Sequence, residues 1–274
     1  DRAFDLLGLD KKGILAVTMP CFGTSSRTYN NARALSECIG ATLIEIPIKD
    51  AIYQHFKDIG QDLNNHDITY ENSQARERTQ VLMDLANMHK GLMIGPGDMS
   101  ELVLGWTTYN GDHMSMYGVN SSVPKTLVKL LVEYIANTTD NKKLSGVLTD
   151  ILDTPVSPEL LPLDEGEISQ RTEDFVGPYE LNDFFMYYVL KYGFTPKKVY
   201  HLAKNAFAKT YSNNDILKWL KVFYKRFFSQ QYKRSCLPDG PKISDISISP
   251  RGNLLMPSDG KADLWLEQLD MITE

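Results

Sequence analysis

The sequence Gly95-Pro96-Gly97-Asp98-Met99-Ser100-Glu101 follows a short apolar segment, Gly91–Gly95, that we predict to be a strand. A turn of small residues and an acid at the start of a helix lie where a parallel α/β sheet binds ligands, outside the carboxyl ends of its strands. A glycine-containing second turn and a helix that starts near Lys125 come next along the chain. This order predicts a nucleotide and metal site at the carboxyl edge of the sheet.

Strand-like and helix-like patterns alternate through the first 95 residues. The apolar, β-branched segments predict strands, whereas the 3-4 spacing of apolar residues predicts helices. Strands are predicted at Gly13–Met19, Ala41–Ile48 and Gly91–Gly95, and helices at Thr28–Gly40, Ala51–Ile59 and Asn72–His89. The alternation predicts an α/β fold in which helices wrap a parallel sheet, of the Rossmann-like kind.

The second half of the chain has a different pattern. After a predicted helix at Pro124–Asn137, residues 138–178 are polar and rich in Pro, Asp and Glu, which indicates an ordered excursion or lid. Residues 179–274 form a predicted helical carboxyl-terminal part, with helices at Tyr179–Tyr192, Pro196–Ala208 and Asn213–Phe228. We therefore divide residues 1–274 into an α/β core over 1–137, the excursion and the helical part.

Composition excludes several classes of protein. The 274 residues are 42% hydrophobic and carry a net charge of −6, so nothing drives the chain as a whole toward nucleic acid or an anionic membrane. No apolar run approaches the roughly 20 residues that span a bilayer, and the amino terminus does not have the pattern of a signal peptide. The three widely spaced cysteines are typical of reduced thiols, so we expect a cytoplasmic protein without a membrane partner.

Lys218–Arg234 mixes basic and aromatic residues, as nucleic-acid surfaces do. A 3-4 spacing nevertheless puts most of its aromatic residues on one face, so we favour a buried stripe and expect no nucleic-acid partner. Beyond this helix we predict a loop, which could bring the cations Lys233 and Arg234 to an anionic ligand.

Glu101 and Lys125 are the main candidates for chemistry. The carboxylate of Glu101 faces the ligand edge of the sheet and could hold Mg²⁺, although an acid there also stabilises a helix amino terminus without any metal. Lys125 follows Ser121-Ser122-Val123-Pro124, where a serine cap with proline at the helix start would leave backbone N–H groups free for an anion. A lysine on a first helical turn opposes the helix dipole, which favours a phosphate partner over a solvated surface position.

Two arginines and the histidines are weaker candidates. Arg76 and Arg78 are two residues apart and must lie on different faces of their helix, so at most one of them binds a ligand there. His66, His113 and the other three histidines show no spacing to cysteine or serine that indicates nucleophilic catalysis.

Seven ordered motifs extend over nearly the whole chain. They are Val-Thr-Met-Pro-Cys-Phe-Gly-Thr at 17–24 with Thr28-Tyr-Asn-Asn, Tyr70-Glu-Asn-Ser-Gln-Ala-Arg, Gly97-Asp-Met-Ser-Glu-Leu, Tyr109-Asn-Gly-Asp-His-Met-Ser-Met-Tyr, Leu152-Asp-Thr-Pro-Val-Ser-Pro-Glu-Leu, Val176-Gly-Pro-Tyr-Glu-Leu, and Lys233-Arg-Ser-Cys-Leu-Pro-Asp-Gly-Pro-Lys. Together they resemble NAD synthetase, in particular the synthetase domain of its long, glutamine-dependent form. The resemblance implies the adenine nucleotide alpha-hydrolase type of Rossmann-like fold.

The resemblance also implies a reaction. The carboxylate of deamido-NAD attacks the α-phosphate of ATP and expels pyrophosphate, and ammonia then displaces AMP from the acyl adenylate to give NAD. Glutamine is the implied source of ammonia, Mg²⁺ is the implied metal, and a homo-oligomer is the implied assembly. The other interpretation that we keep open is a non-catalytic dinucleotide-binding or interaction module derived from the enzyme.

Site residues are implied by the motifs in which they lie. Glu101 resembles the magnesium ligand of the family. The implied ATP contacts are Met19 at the adenine, Lys125 at the phosphates and Ser157, and the implied deamido-NAD contacts are Asn72, Arg78, Trp106, Lys233 and, more weakly, Arg76.

Two departures from the family pattern affect the ATP site. Pro96 stands where family members usually have threonine, so a hydroxyl contact and a backbone N–H are both missing. The Ser-Gly-Gly-x-Asp-Ser phosphate loop, which should precede the helix ending near Gly8, is absent from the 274 residues. We therefore expect an amino-terminally truncated domain, with little activity by itself.

Overall fold

The computed structural model describes residues 1–162 and 171–272. The chain divides into two compact units. The amino-terminal unit consists of residues 1–85 and 129–171, and the carboxyl-terminal unit consists of residues 86–128 and 172–274. Each unit is built around its own hydrophobic cluster.

The amino-terminal unit is built on a pair of parallel strands. Its elements are α1 (Arg2–Leu7), a 3-10 turn (Lys11–Gly13), β1 (Leu15–Thr18), α2 (Ser26–Ile39), β2 (Thr42–Glu45), α3 (Lys49–Ile59), most of α4 (Ile68–Met88) and α7 (Lys142–Leu152). In the β1–β2 pair, Leu15 lies opposite Thr42 and Val17 opposite Ile44. Helix α2 connects the two strands, as a parallel crossover requires.

The core of the amino-terminal unit is small and partly aromatic. Ile52 and Phe56 of α3 are 1% exposed and pack with Cys21 and Tyr70. Helix α2 begins with Ser25, whose hydroxyl accepts a hydrogen bond from the backbone N–H of Thr28. These features hold the segment after β1, which contains Met19, against α3 and α4.

The carboxyl-terminal unit is mainly helical. Its elements are β3 (Ile94–Gly95), α5 (Met99–Leu104), β4 (Tyr117–Gly118), the start of α6 (Lys125–Thr138), α8 (Thr172–Val176), α9 (Tyr179–Tyr192), α10 (Pro196–Ala206), α11 (Asn213–Ser229), α12 (Gln231–Arg234) and α13 (Asp263–Asp270). Strands β3 and β4 pair in parallel, with Gly95 opposite Gly118. The predicted strand Gly91–Gly95 is confirmed only in its last two residues.

Helix α5 packs into the large hydrophobic core of this unit. Met99, Val103 and Leu104 of α5 are at most 1% exposed and belong to the same cluster as the buried faces of α9, α10 and α11. The buried residues of α11 are Ile216, Leu220, Phe223, Tyr224 and Phe227. The prediction of a buried aromatic stripe is therefore confirmed at Phe223 and Phe227, whereas Trp219 is only half-buried.

One further expectation differs from the structure. Helix α7 lies inside the segment that the sequence indicated as a polar excursion, and it packs along α2. The sequence did not predict this helix, because its apolar residues lie within a segment rich in Pro, Asp and Glu. Residues 163–170 of that segment lie outside the described residues. Within the two described ranges, no helix has the length and apolarity needed to cross a membrane.

Candidate functional site

The amino-terminal end of α5 carries a reciprocal capping arrangement. The Asp98 side chain accepts a hydrogen bond from the backbone N–H of Glu101 at 3.0 Å, and Glu101 Oε2 accepts one from the backbone N–H of Asp98 at 3.3 Å. Both donors would otherwise lack a partner inside the helix. The helix-stabilising role that the sequence left open for Glu101 is therefore present.

The ammonium group of Lys125 lies between these two carboxylates. Its Nζ is 2.7 Å from Asp98 Oδ2 and 2.8 Å from Glu101 Oε1. The Lys125 side chain is 22% exposed and that of Asp98 only 5%, so solvent screens this cluster much less than an exposed ion pair. Lys125 is thus not a solvated surface lysine.

Lys125 is stabilised by both carboxylates, whereas the two carboxylates repel each other. Burial and the neighbouring Asp98 raise the pKa of Glu101, although Lys125 opposes the shift. Burial alone would lower the pKa of Lys125, but the adjacent charges of Glu101 and Asp98 outweigh it and raise that pKa. The ammonium therefore stays protonated over the physiological pH range.

The same four carboxylate oxygens form the donor set for a divalent cation. Two carboxylates that converge on one point fit Mg²⁺, a hard cation that prefers oxygen ligands. Each of the four oxygens already has a partner, since Lys125 and two backbone N–H groups use them all. A cation bound by Asp98 and Glu101 would compete with Lys125 for the same oxygens. Among the described residues, no group of three or more His, Cys, Asp or Glu side chains forms a candidate metal site.

The start of α6 differs from the sequence-based expectation. The hydroxyl of Ser122 donates to the carbonyl of Pro241 and accepts from the N–H of Ile243, so it does not cap α6. The N–H of Lys125 instead donates to Ser100 Oγ at 2.8 Å. The N–H of Thr126 donates to Asp183 Oδ2 at 3.0 Å. Protein side chains, and not open N–H groups, therefore occupy the anion position that we predicted at this helix.

Tyr179 lies beside the charged cluster. Lys125 Nζ is 5.2 Å from the centroid of its ring, a favourable cation–π distance. The hydroxyl of Tyr179 is buried and has no hydrogen-bond partner among the described residues. Burial and the nearby charges of Glu101 and Asp98 raise its pKa, so it remains a neutral donor.

The carboxyl-terminal end of α5 is surrounded by cations from α11 and α12. Lys233 Nζ donates to the carbonyls of Gly105 at 2.8 Å and Thr107 at 2.5 Å. Arg226 donates to Leu104 at 2.9 Å, and Arg234 donates to Val103 at 2.6 Å. The last carbonyls of a helix have no partner inside it, and these side chains supply one.

Gly105 ends α5 in the left-handed region, at a φ of 59°. A Cβ at this position would lie 2.2 Å from the Gln230 side chain, so both conformation and space require glycine. The sharp turn presents the carbonyls of Gly105 and Thr107 to Lys233. The prediction that Lys233 and Arg234 lie in a loop is wrong, because both belong to the short helix α12.

Lys233 is a partly buried cation held by carbonyl groups. Burial and the neighbouring Arg226 lower its pKa to about 8. Its three N–H donors exceed the two carbonyls that accept from it among the residues that the structure describes. The group therefore has both spare positive charge and a spare donor for an anionic ligand.

Trp106 directly follows the turn at Gly105. The guanidinium of Arg226 lies 5.1 Å from its ring centroid, and Phe175 stacks on the ring at 5.8 Å. Its backbone N–H donates to the carbonyl of Glu101 at 2.9 Å, so the chain at Trp106 is tied to the first turn of α5. The structure thus brings Trp106 and Lys233 to the same end of this helix.

One histidine lies close to a cysteine, which the sequence did not indicate. His113 Nε2 is 3.6 Å from Cys236 Sγ and 2.7 Å from the carbonyl of Lys233. The N–H of Asn110 donates to His113 Nδ1, so the proton of the neutral ring is on Nε2 and points to that carbonyl. Burial lowers the pKa of His113, and this tautomer cannot accept a proton from the thiol. The expectation of no nucleophilic histidine pair is consistent with this geometry.

The remaining predicted residues belong to the amino-terminal unit. Arg78 Nε donates to the carbonyl of Met19 at 3.4 Å, which brings these two candidates together. Arg76 is exposed whereas Arg78 and Asn72 are half-buried, so the two arginines do lie on different faces of α4.

Ser157 belongs to a tightly held segment of the same unit. Its hydroxyl accepts from the N–H of Glu159 at 3.1 Å, and Glu159 in turn accepts from Thr28 Oγ1 at 2.5 Å. A Cβ at Gly23 would lie 2.3 Å from the carbonyl oxygen of Glu159, so only glycine allows this approach.

Sequence reasoning missed Tyr179, Asp183 and Arg226. Tyr179 and Asp183 are four residues apart on α9, and a carboxylate on an otherwise apolar helical face is a signal that could have identified the second. Arg226 follows Phe223 by three residues in the aromatic stripe of α11, which could have indicated a buried cation.

Comparisons with known proteins agree with the motifs. The NAD synthase family model matches residues 3–218. The glutamine-dependent NAD(+) synthetase of Mycobacterium leprae is 42% identical over 98% of this chain, and that of Mycobacterium tuberculosis is 41% identical over the same share. The chain spans 43% of the length of either relative.

A solved structure has the same fold. The crystal structure of a glutamine-dependent NAD(+) synthetase from Cytophaga hutchinsonii superposes with a TM-score of 0.73 and 22% identity. The superposition covers 94% of this chain and 40% of that one. The predicted fold class, a Rossmann-like α/β fold of the adenine nucleotide alpha-hydrolase type, is therefore confirmed.

Proposed function

The chain belongs to the NAD synthase family, and we propose that it supplies the synthetase part of an enzyme that amidates deamido-NAD to NAD. A carboxylate is a poor electrophile, so its oxygen first attacks the α-phosphate of ATP and pyrophosphate leaves. Ammonia derived from glutamine then attacks the acyl adenylate, AMP leaves with the former carboxylate oxygen, and the amide forms. Transition-state charge on the phosphate must be offset by cations.

The observation that carries this proposal is the position of Lys125. Lys125 is a half-buried ammonium whose present partners are Asp98 and Glu101, so a polyphosphate would bind it in exchange for these carboxylates. We propose that Lys125 binds the phosphates of ATP through this exchange of partners.

We propose that Mg²⁺ accompanies ATP, with Glu101 and Asp98 as its protein ligands. When bound, the metal would neutralise charge on the phosphates and polarise them toward attack. The capping arrangement at the start of α5 keeps the carboxylates of Asp98 and Glu101 close together. Lys125 and the metal then share the negative charge of the cluster and of the phosphates.

The Trp106 and Lys233 region is the proposed contact for deamido-NAD. The spare N–H of Lys233 suits a carboxylate, and the ring of Trp106 suits an aromatic ring. Within the described part of the chain, the buried hydroxyls of Thr107, which follows Trp106, and of Tyr179 have no hydrogen-bond partner. In the amino-terminal unit, Asn72, Arg78 and, more weakly, Arg76 are the proposed contacts.

The other proposed ATP contacts are in the amino-terminal unit. Met19 is the proposed contact for adenine and Ser157 the proposed polar contact. Pro96 replaces the hydroxyl and backbone N–H that a threonine would offer, so Lys125 and the metal would hold a larger share of the nucleotide.

We also propose that residues 1–274 form one synthetase domain, divided as the sequence indicates, and that the protein is a homo-oligomer. Helix α6 supports the second proposal with an exposed apolar stripe at 3-4 spacing. Its members are Leu127, Leu130, Leu131 and Tyr134, which are 38–59% exposed. Such a stripe is typical of a helix that packs against a partner.

The test uses the protein as its gene encodes it, with deamido-NAD carrying ¹⁸O in its carboxylate, ATP, Mg²⁺ and ammonium. We expect NAD, AMP and pyrophosphate in equal amounts, with one ¹⁸O atom in each AMP, because that oxygen attacks the phosphate. Formation of ADP, or AMP without ¹⁸O, would contradict the acyl adenylate. Binding of deamido-NAD without any turnover would favour the non-catalytic module.

A further inference from the structure

Asp183 is a buried carboxylate that has no place in the proposed reaction. It lies on α9, is 8% exposed, and has both of its oxygens in use. Oδ1 accepts a hydrogen bond from Ser100 Oγ, and Oδ2 accepts from Thr126 N at 3.0 Å and Thr126 Oγ1 at 2.7 Å. A buried carboxylate is expensive unless it is fully hydrogen-bonded, and here it is.

The partners of Asp183 are the immediate neighbours of the charged site residues. Ser100 precedes Glu101 on α5, and Thr126 follows Lys125 on α6. The link is closed by Ser100 Oγ, which also accepts from the N–H of Lys125 at 2.8 Å. One side chain of α9 thus connects the first turn of α5 to the first turn of α6.

This connection restrains a distance that neither helix sets alone. Lys125 is anchored by its own N–H, and Glu101 is anchored through the capping arrangement next to Ser100. The carboxylate of Asp183 also lies at the positive end of the 14-residue helix α6, where the helix dipole stabilises it. We propose that Asp183 is a positioning residue that holds Lys125 and Glu101 at the separation needed for ATP. This inference rests on the proposed function.

Asn182 provides a matched control on the same helix. It is 2% exposed, and its amide also takes part in three hydrogen bonds. All three go to the carbonyls of Val176, Gly177 and Pro178, between the end of α8 and the start of α9, and none reaches α5 or α6. Loss of Asn182 therefore removes a comparable buried network without touching Lys125 or Glu101.

Hydrogen exchange tests the restraint without any activity measurement. In the protein as its gene encodes it, Asp183→Asn should speed exchange of the Lys125 and Thr126 amides by about 10-fold or more, since Asp183 is the acceptor of Thr126 and holds Ser100 Oγ, the acceptor of Lys125. Asn182→Ala should speed exchange around residues 176–182 and leave Lys125 and Thr126 as in the wild type. Unchanged exchange at those two amides in Asp183→Asn would overturn the inference.

Equilibrium binding then tests the positioning role. Titration calorimetry with ATP and Mg²⁺ should show about 10-fold weaker ATP binding by Asp183→Asn, the usual scale for a residue that orients a ligand-binding group. Its affinity for deamido-NAD should stay within about 2-fold of the wild type, and Asn182→Ala should bind both ligands normally. Equal losses for both ligands, or the same losses in Asn182→Ala, would reduce Asp183 to a general structural role. A wild-type protein that binds ATP and forms no NAD would contradict the proposed reaction alone.

Discussion

The two ends of helix α5 differ in the partners of their charged side chains. At the amino-terminal end, Asp98 and Glu101 are balanced by the backbone N–H groups and by Lys125. At the carboxyl-terminal end, three cations donate to backbone carbonyls, and within the described residues none of them pairs with a carboxylate. At the amino-terminal end, the acidic side chains and Lys125 pair with one another. At the carboxyl-terminal end, the cations have no carboxylate partner among the described residues.

This difference follows from what a helix end lacks. Free N–H groups at the start attract acids and free carbonyls at the end attract bases, so a six-residue helix buried in a core collects both. A ligand at the amino-terminal end must displace existing ion pairs. An anionic ligand at the carboxyl-terminal end can pair with cations that so far donate only to backbone carbonyls. We therefore expect ligand binding at the amino-terminal end to depend mainly on Lys125, and ligand binding at the carboxyl-terminal end to depend on several cations.

Lys125→Ala should produce the largest effect. Removing the cation that pairs with Asp98 and Glu101 should reduce kcat/KM for ATP by about 1000-fold, the loss typical of a group that stabilises transition-state charge. Lys129→Ala, an exposed lysine one turn later on α6, is the control and should behave as the wild type. A loss of less than 10-fold in steady-state assays of Lys125→Ala would contradict the role of this network.

Arg234→Met should have the next largest effect, and on stability. Arg234 is 1% exposed and donates to Val103, Leu102 and Phe227, so its loss leaves buried carbonyls without partners. We expect a decrease of about 3 kcal/mol in the free energy of unfolding, measured by urea denaturation. Lys225→Met removes an exposed cation from α11 and should change it by less than about 0.5 kcal/mol. Equal effects would mean that the carbonyls of α5 do not need Arg234.

Lys233 should make the carboxyl-terminal end sensitive to pH. Since its pKa is lowered to about 8 by burial, the ammonium loses its charge above that pH. KM for deamido-NAD should then rise by about 10-fold per pH unit above 8, because the substrate carboxylate loses its cation. Lys233→Arg should remove the dependence, and a wild-type KM that is flat between pH 7 and 9.5 would exclude Lys233 as the contact.

The titration of Lys233 should also change the free energy of unfolding. This quantity should increase with pH, whereas binding of deamido-NAD should weaken. The folded pKa lies below the ordinary value of 10.5, so between pH 8 and 10.5 the unfolded chain binds more protons than the folded one. The contribution of Lys233 to the free energy of unfolding therefore increases as pH rises through this window. Urea denaturation of the wild type and Lys233→Met at pH 8 and 10 should show the increase only in the wild type.

Arg226→Gln should give the smallest effect. Its guanidinium lies 5.1 Å from the Trp106 ring centroid, and a half-buried cation–π contact contributes about 0.5–1 kcal/mol. KM for deamido-NAD should rise by about 2- to 5-fold while KM for ATP stays constant. A larger change in KM for ATP would mean that Arg226 acts on both ends of α5.

Local patterns in the sequence identified much of the fold. Helix α9 begins and ends at the predicted residues, and α10 and α11 begin as predicted, because apolar spacing and the residues at their starts act over a few neighbours. The same reasoning missed α7, whose apolar residues lie among polar sequence. It also extended β3 from two residues to five, since strand length depends on a partner strand.

The candidate site was only partly predictable. Glu101 and Lys125 could be selected because each lies at a helix start, where backbone groups lack partners. Their contact, and the occupation of the α6 amino terminus by Asp183, could not be predicted, since Asp183 is 57 residues from Thr126 in the chain. The pairing of His113 with the carbonyl of Lys233 is also long-range, since the two residues are 120 positions apart.

The family, the α/β class and the residues that begin and end many helices can be inferred from the chain alone, because motifs, hydrophobic period and caps are local properties. Which acid faces which base at each end of α5 depends on how the helices pack. Ion pairing, burial and the resulting pKa shifts depend on the distance between side chains that are far apart in the chain, and packing of α5, α9, α11 and α12 sets that distance.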